Sequence, residues 1–131
     1  MASHNRPLSP HIFAWRWRLH MILSILHRAT GMANAVTAVL LVWWLSALAG
    51  GPDYYRVFTD LTGSLIGHLV LLGLTFALML HLCTGIRHLV MDTGAALEPQ
   101  TNRRFGAAMV VTAFVLTLAV WGAAYLVLQG A

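Results

Sequence analysis

The sequence predicts an all-α membrane protein with three transmembrane helices, and three observations carry that expectation. Of 131 residues, 59% are hydrophobic and 9% charged, against about 25% charged in soluble domains. Such a chain has too little polar surface to face water, and the same composition excludes disorder. Three long apolar runs alternate with short stretches rich in Gly, Pro or charge. A span needs roughly 20 apolar residues, so three of them use up the length as one domain, 1–131. The basic residues are all arginine and cluster at the ends of the runs, where topology and interfacial anchoring require them.

Residues 1–20 read as an interfacial arm. Pro7 and Pro10 limit helix before about His11, and Trp15-Arg16-Trp17-Arg18 mixes indoles with guanidiniums, as suits a headgroup layer. A polar, basic start before a long apolar run does not have the form of a cleavable signal. Span one is expected over 21–49, deepest from Met32 to Leu48, and Gly50-Gly51-Pro52-Asp53 ends it. Span two is expected over 61–91, with Gly63 and Gly67 as a G-x-x-x-G that permits close helix approach. Span three is expected over 105–128, after a loop with Pro99, Arg103 and Arg104, and carries no charge.

Arg6, Arg16, Arg18 and Arg28 precede or open span one, and Arg87, Arg103 and Arg104 flank the second connection. Only Arg56 falls in the first loop, beside Asp53 and Asp60. The positive-inside rule then puts the N-terminus and second loop in the cytoplasm or matrix, and the C-terminus outside. Anchoring accounts for the formal charge of +4 without a nucleic-acid partner. Cys83 is the single cysteine, so there is neither a disulfide framework nor a C-x-x-C-H haem attachment site.

Ionisable groups within spans are costly and mark function. Ser24, His27 and Arg28 stand at offsets of three and four, on one expected helix face, which His20 and Gly31 extend. A guanidinium with a hydroxyl and an imidazole suits a carboxylate or the carbonyl oxygen of a small polar headgroup. The competing reading is Arg28 snorkelling to lipid phosphates. A second group comprises His81, Arg87, His88 and Asp92. His81 lies about 9 Å deeper than Arg87 by helix rise, in hydrocarbon, where a neutral imidazole needs a partner. Haem iron is one such partner, and a hydrogen bond to a neighbouring helix is the other reading. Thr84 and Gly85 are small, and Gly85 would let a flat macrocycle approach. His68, thirteen residues before His81, reads as interfacial or packing, with a two-haem arrangement as the alternative. The spans hold no paired carboxylates, phosphate loop, zinc spacing or nucleophile–base pair.

The segments RPLSPH (Arg6 to His11), SILHRATG (Ser24 to Gly31) and HLCTGIRHLVMD (His81 to Asp92) closely resemble the cytochrome b556 membrane-anchor subunits of succinate dehydrogenase, over nearly the whole chain. The RPLSPH opening is similar to the mitochondrial and alphaproteobacterial branch. Tyr often stands in that family where this chain has Trp15, and the Arg/Trp run after it is less usual. The resemblance implies one b-type haem, with His81 as an axial ligand and the other ligand from a second anchor subunit. It implies His27 and Arg28 near the haem propionates, and Ser24 and Arg28 at a ubiquinone site beside the iron–sulfur subunit. Arg87, His88 and Asp92 would stabilise the cytoplasmic end of span two. It further implies a complex with a flavoprotein subunit, in the bacterial or mitochondrial inner membrane, and no activity from this chain alone. A fumarate reductase anchor and a cofactor-free membrane scaffold are the rival readings.

Overall fold

The computed structural model describes residues 16–130, and the arm up to Trp15, including RPLSPH, lies outside the described residues. Those described form four helices and no strand: α1 (Leu19–Ala49), α2 (Pro52–Thr62), α3 (Leu65–Asp92) and α4 (Pro99–Gly130). Helices α1, α3 and α4 are each long and apolar enough to cross a membrane. A spanning helix satisfies all its backbone hydrogen bonds internally, so uninterrupted apolar sequence suffices to form it.

The expected boundaries moved in an informative way. Span two was expected from residue 61, but 52–62 is a separate short helix. Gly51 takes φ 96°, a left-handed value open to glycine, and Pro52 opens α2 where its missing N–H costs nothing. Helix α2 carries Asp53, Arg56 and Asp60, as befits a helix lying at an interface. Phe58 docks edge-on against Trp43 of α1, ring centroids 4.9 Å apart. Ser64 then caps α3, its hydroxyl accepting from the Gly67 amide at 3.0 Å. Gly63 and Gly67 therefore straddle a turn rather than line one helix face. A Cβ on Gly67 would run into the carbonyls of Leu61 and Thr62. The G-x-x-x-G thus serves the α2–α3 corner, not helix pairing.

The helix that holds the third apolar run begins at Pro99, ahead of the apolar residues themselves. Pro99 takes the first helical position, and the Glu98 carboxylate accepts from the Thr101 amide (3.2 Å) and from its hydroxyl. These bonds hold the Glu98 carboxyl below the usual carboxylate range, the hydroxyl contributing most.

Helix α3 is central, packing on both α1 and α4. Its core is Leu80 and Cys83 against Ala113, flanked by Phe76, Met79, Met109 and Val110. Small buried residues dominate the contacts: Ala47, Ala77, Thr84, Ala113 and Thr117, with Gly106. Between apolar helices it is close packing rather than water exclusion that holds spans together, and small residues permit it. A Cβ at Gly106 would lie 2.5 Å from Leu23 Cδ1, so this glycine marks a close contact of α4 with α1. Much apolar surface remains exposed along the helices, Val39, Leu65 and Leu128 included.

Candidate functional site

Helices α1 and α3 are successive spans and run antiparallel. His27 and Thr30, a turn apart in α1, therefore meet His81 and Thr84, a turn apart in α3. Thr30 Oγ1 donates to its own helix, to the carbonyls of Leu26 (2.8 Å) and His27 (3.0 Å). Its oxygen is left to accept, and it lies 3.1 Å from His81 Nδ1. The carbonyl oxygen of His27 lies 3.1 Å from the same nitrogen and can only accept. Nδ1 of His81 thus carries the ring proton, and Nε2 holds the free lone pair.

The opposite contact has the same form. Thr84 Oγ1 donates to the Leu80 carbonyl at 2.6 Å, and His27 Nδ1 donates to Thr84 Oγ1 at 2.8 Å. The two imidazoles stack, centroids 4.0 Å apart and planes 9° apart. Glycine makes room for one ring: a Cβ at Gly31 would lie a tight 3.2 Å from His81 Cε1, whereas one at Gly85 would make an ordinary contact, 3.6 Å from His27 Cε1. His88 closes the group, its ring edge-on to His27 at 4.9 Å.

The structure divides the first expected cluster. Ser24 and His27 are half-buried, and His27 faces α3, whereas Arg28 is exposed on the flank of the helix. In the second cluster, Arg87 is 2% exposed. It donates from a terminal nitrogen to Asn102 Oδ1 of α4, while its Nε is buried with no partner among the described residues. Asp92 is exposed at the last turn of α3. His68 is remote from these groups. Its Nδ1 donates to the Ser64 carbonyl (3.0 Å), and its ring sits 6.1 Å from that of Trp121. A cavity of about 650 Å³ between the start of α1 and the start of α4 is lined by Arg18, His20, Gln100 and Arg103, and contains none of the paired histidines.

Sequence reasoning missed Thr30, Gly31 as room for His81, and Asn102. A signal for the first two was present. The segments His27-Arg28-Ala29-Thr30-Gly31 and His81-Leu82-Cys83-Thr84-Gly85 share His, Thr and Gly at the same offsets. Asn102 had no such signal, being a polar residue near polar neighbours.

The arrangement presents an imidazole within a span, with one nitrogen fixed by hydrogen bonds and the other available to a ligand. A fixed cation stands a turn from the same crossing. The chain matches the family described as succinate dehydrogenase/fumarate reductase transmembrane subunit over residues 2–120. It is 38% identical over 114 residues to the succinate dehydrogenase cytochrome b556 subunit of Paracoccus denitrificans, covering 87% of this chain and 88% of the relative. It is 34% identical to the protein of that name from Rickettsia typhi, over 90% of this chain and 92% of the relative. Identity to the mitochondrial cytochrome b560 subunit of Sus scrofa is 40%, over 82% of this chain and 66% of the relative.

Proposed function

Because the chain belongs to the succinate dehydrogenase/fumarate reductase transmembrane subunit family, we propose that this membrane anchor binds one b-type haem and ubiquinone and supports electron transfer from an iron–sulfur subunit to the quinone. The observation that carries the proposal is the tie of His81 Nδ1 to the His27 carbonyl and Thr30. A metal-ligating histidine characteristically donates its other ring N–H to a carbonyl or carboxylate, which fixes the tautomer and the ring orientation. His81 meets that requirement within an apolar span.

The residues present fit a haem. His81 would hold the iron through Nε2, and a second anchor subunit would supply the other ligand. His27 and Arg28 are the groups available to the propionates. Bound haem supplies a one-electron store whose potential follows its ligands and burial. Arg28 is permanently charged and donates to a quinone carbonyl oxygen, stabilising the negative charge that builds there on reduction. Ser24, one helical turn away, adds a hydroxyl to the same region. Arg87, His88 and Asp92 hold the end of α3 rather than touch the quinone. The N-terminal end of α1 and the α3–α4 connection lie on the side where the iron–sulfur and flavoprotein subunits dock, so electrons enter and reduce quinone on that face.

The test is a dithionite-reduced minus oxidised spectrum of the purified complex, with pyridine haemochrome quantitation. One b-type haem per copy of this chain is expected. An intact, haem-free complex would refute the reading in favour of a cofactor-free anchor. Two haems per copy would instead bring His68 in as a ligand. The family description also covers fumarate reductase, and the same preparation settles direction by comparing succinate oxidation with fumarate reduction.

A further inference from the structure

We propose that Thr30 is a positioning residue for His81, acting through one half of a reciprocal clamp made by two H-x-x-T-G segments. The proposal rests on the haem reading of His81 and concerns how this chain holds that ring.

The two segments, 27–31 and 81–85, lie on antiparallel helices and meet so that each histidine addresses the other segment's threonine and glycine. The relation is close to two-fold, but its halves are unequal. His27 has one acceptor, Thr84 Oγ1. His81 has two, Thr30 Oγ1 and the His27 carbonyl, both at 3.1 Å. Thr30 touches both. Its oxygen is one acceptor, and its hydroxyl hydrogen shares the carbonyl that is the other. The hydroxyl is itself anchored to the Leu26 and His27 carbonyls, so the oxygen cannot swing away from the ring. Thr30 is 8% exposed, and no water need compete for the bond.

An acceptor on Nδ1–H raises the electron-donating power of Nε2, and its loss lowers it. The His27 carbonyl sets the tautomer, and Thr30, as the second acceptor on the same nitrogen, strengthens Nε2 as a ligand without touching iron. Gly31 completes the half-clamp, since a side chain there would press on His81 Cε1.

The experiment compares Thr30→Ala with Thr30→Ser in the assembled membrane complex, beside the mirror pair Thr84→Ala and Thr84→Ser. The readouts are haem content, the haem midpoint potential and the low-spin EPR g-values. Thr30→Ala is expected to raise the potential and to weaken haem retention on the order of tenfold or more, the scale seen for outer-shell partners of metal ligands. Thr30→Ser, which keeps the hydroxyl, is expected to restore both. Thr84→Ala acts on His27 and is expected to shift the potential less. Should Thr30→Ala not assemble, Thr30→Val keeps the volume and is read the same way. Equal behaviour of Ala and Ser at position 30 would overturn the proposal, as would a Thr84→Ala shift as large as that of Thr30→Ala. A wild-type complex without haem refutes the functional reading itself, and is seen before any variant is made.

Discussion

The imidazoles of His27 and His81 lie parallel at 4.0 Å, although 54 residues separate them in the chain. Each is anchored through Nδ1 to a threonine of the opposite helix. The pair thus joins α1 to α3 at one crossing through Nδ1 of each ring. Interhelical hydrogen bonds within membranes average only about 0.6 kcal/mol each. Orientation, more than stability, is what these bonds contribute.

Replacement of His81 by Ala is expected to abolish the b-type spectrum while the complex still assembles in part. His27→Ala, which keeps the backbone carbonyl that His81 uses, is expected to retain haem with an altered potential. Optical spectra of the two purified variants check this, and an unchanged spectrum in His81→Ala would remove His81 as a ligand.

Arg28 is expected to act on quinone and not on assembly. A hydrogen bond to a charged group is worth about 1.5–3 kcal/mol, so Arg28→Leu should cut succinate:quinone turnover roughly 10- to 100-fold. Electron transfer to an artificial acceptor that bypasses the quinone should stay near wild type. Equal loss in the two assays would assign Arg28 to docking or folding.

The buried Arg87 guanidinium relies on Asn102, and its Nε is already unpaired among the described residues. Asn102→Leu leaves a buried cation short of acceptors and is expected to cost about 2–3 kcal/mol. The Arg87→Met/Asn102→Leu double variant should recover part of that loss, as coupled neighbours do. Thermal unfolding of the complex in detergent measures both, and strict additivity would show that the two side chains do not depend on each other.

Gly106 faces Leu23 across the α1–α4 contact, where a Cβ would lie 2.5 Å from Leu23 Cδ1. The near atom is the tip of a flexible side chain, so Gly106→Ala should be mild. Gly106→Leu overpacks the contact and should destabilise by about 1–3 kcal/mol. The same unfolding assay checks the contrast between the two.

Glu98 lies outside the spanning helices, and its carboxyl is held down by the Thr101 hydroxyl and amide. A depressed folded-state pKa means that the cap contributes above the unfolded pKa and is lost as pH falls through the folded value. Thr101→Val should bring the carboxyl back toward its ordinary range. Carbon-detected NMR titration of the side chain would show it, and an identical titration in the variant would contradict the hydrogen-bonded cap.

The all-α class and the three apolar runs were legible because a spanning helix is a local object. Its backbone bonds close within the segment, and its hydropathy is a sum over neighbours in sequence. His81 stood out for the same reason, as an imidazole deep in an apolar run. The separate α2 was less visible, since its mixed polar and aromatic residues read equally well as a loop.

Local sequence was therefore enough for the three long helices, and for marking which of their residues are chemically out of place. What those residues face follows from how the helices pack. The turning of His27 onto Thr84, the capture of His81 by Thr30 and a backbone carbonyl and the burial of Arg87 against Asn102 depend on where two helices cross and how each is rotated. Both quantities are set by close packing of Gly, Ala and Thr between helices far apart in the chain. The glycines show this most plainly. Gly67 read as a helix-pairing residue and fills a corner, while Gly31, which drew notice only as a continuation of the Ser24 face, makes room for the histidine of the next span.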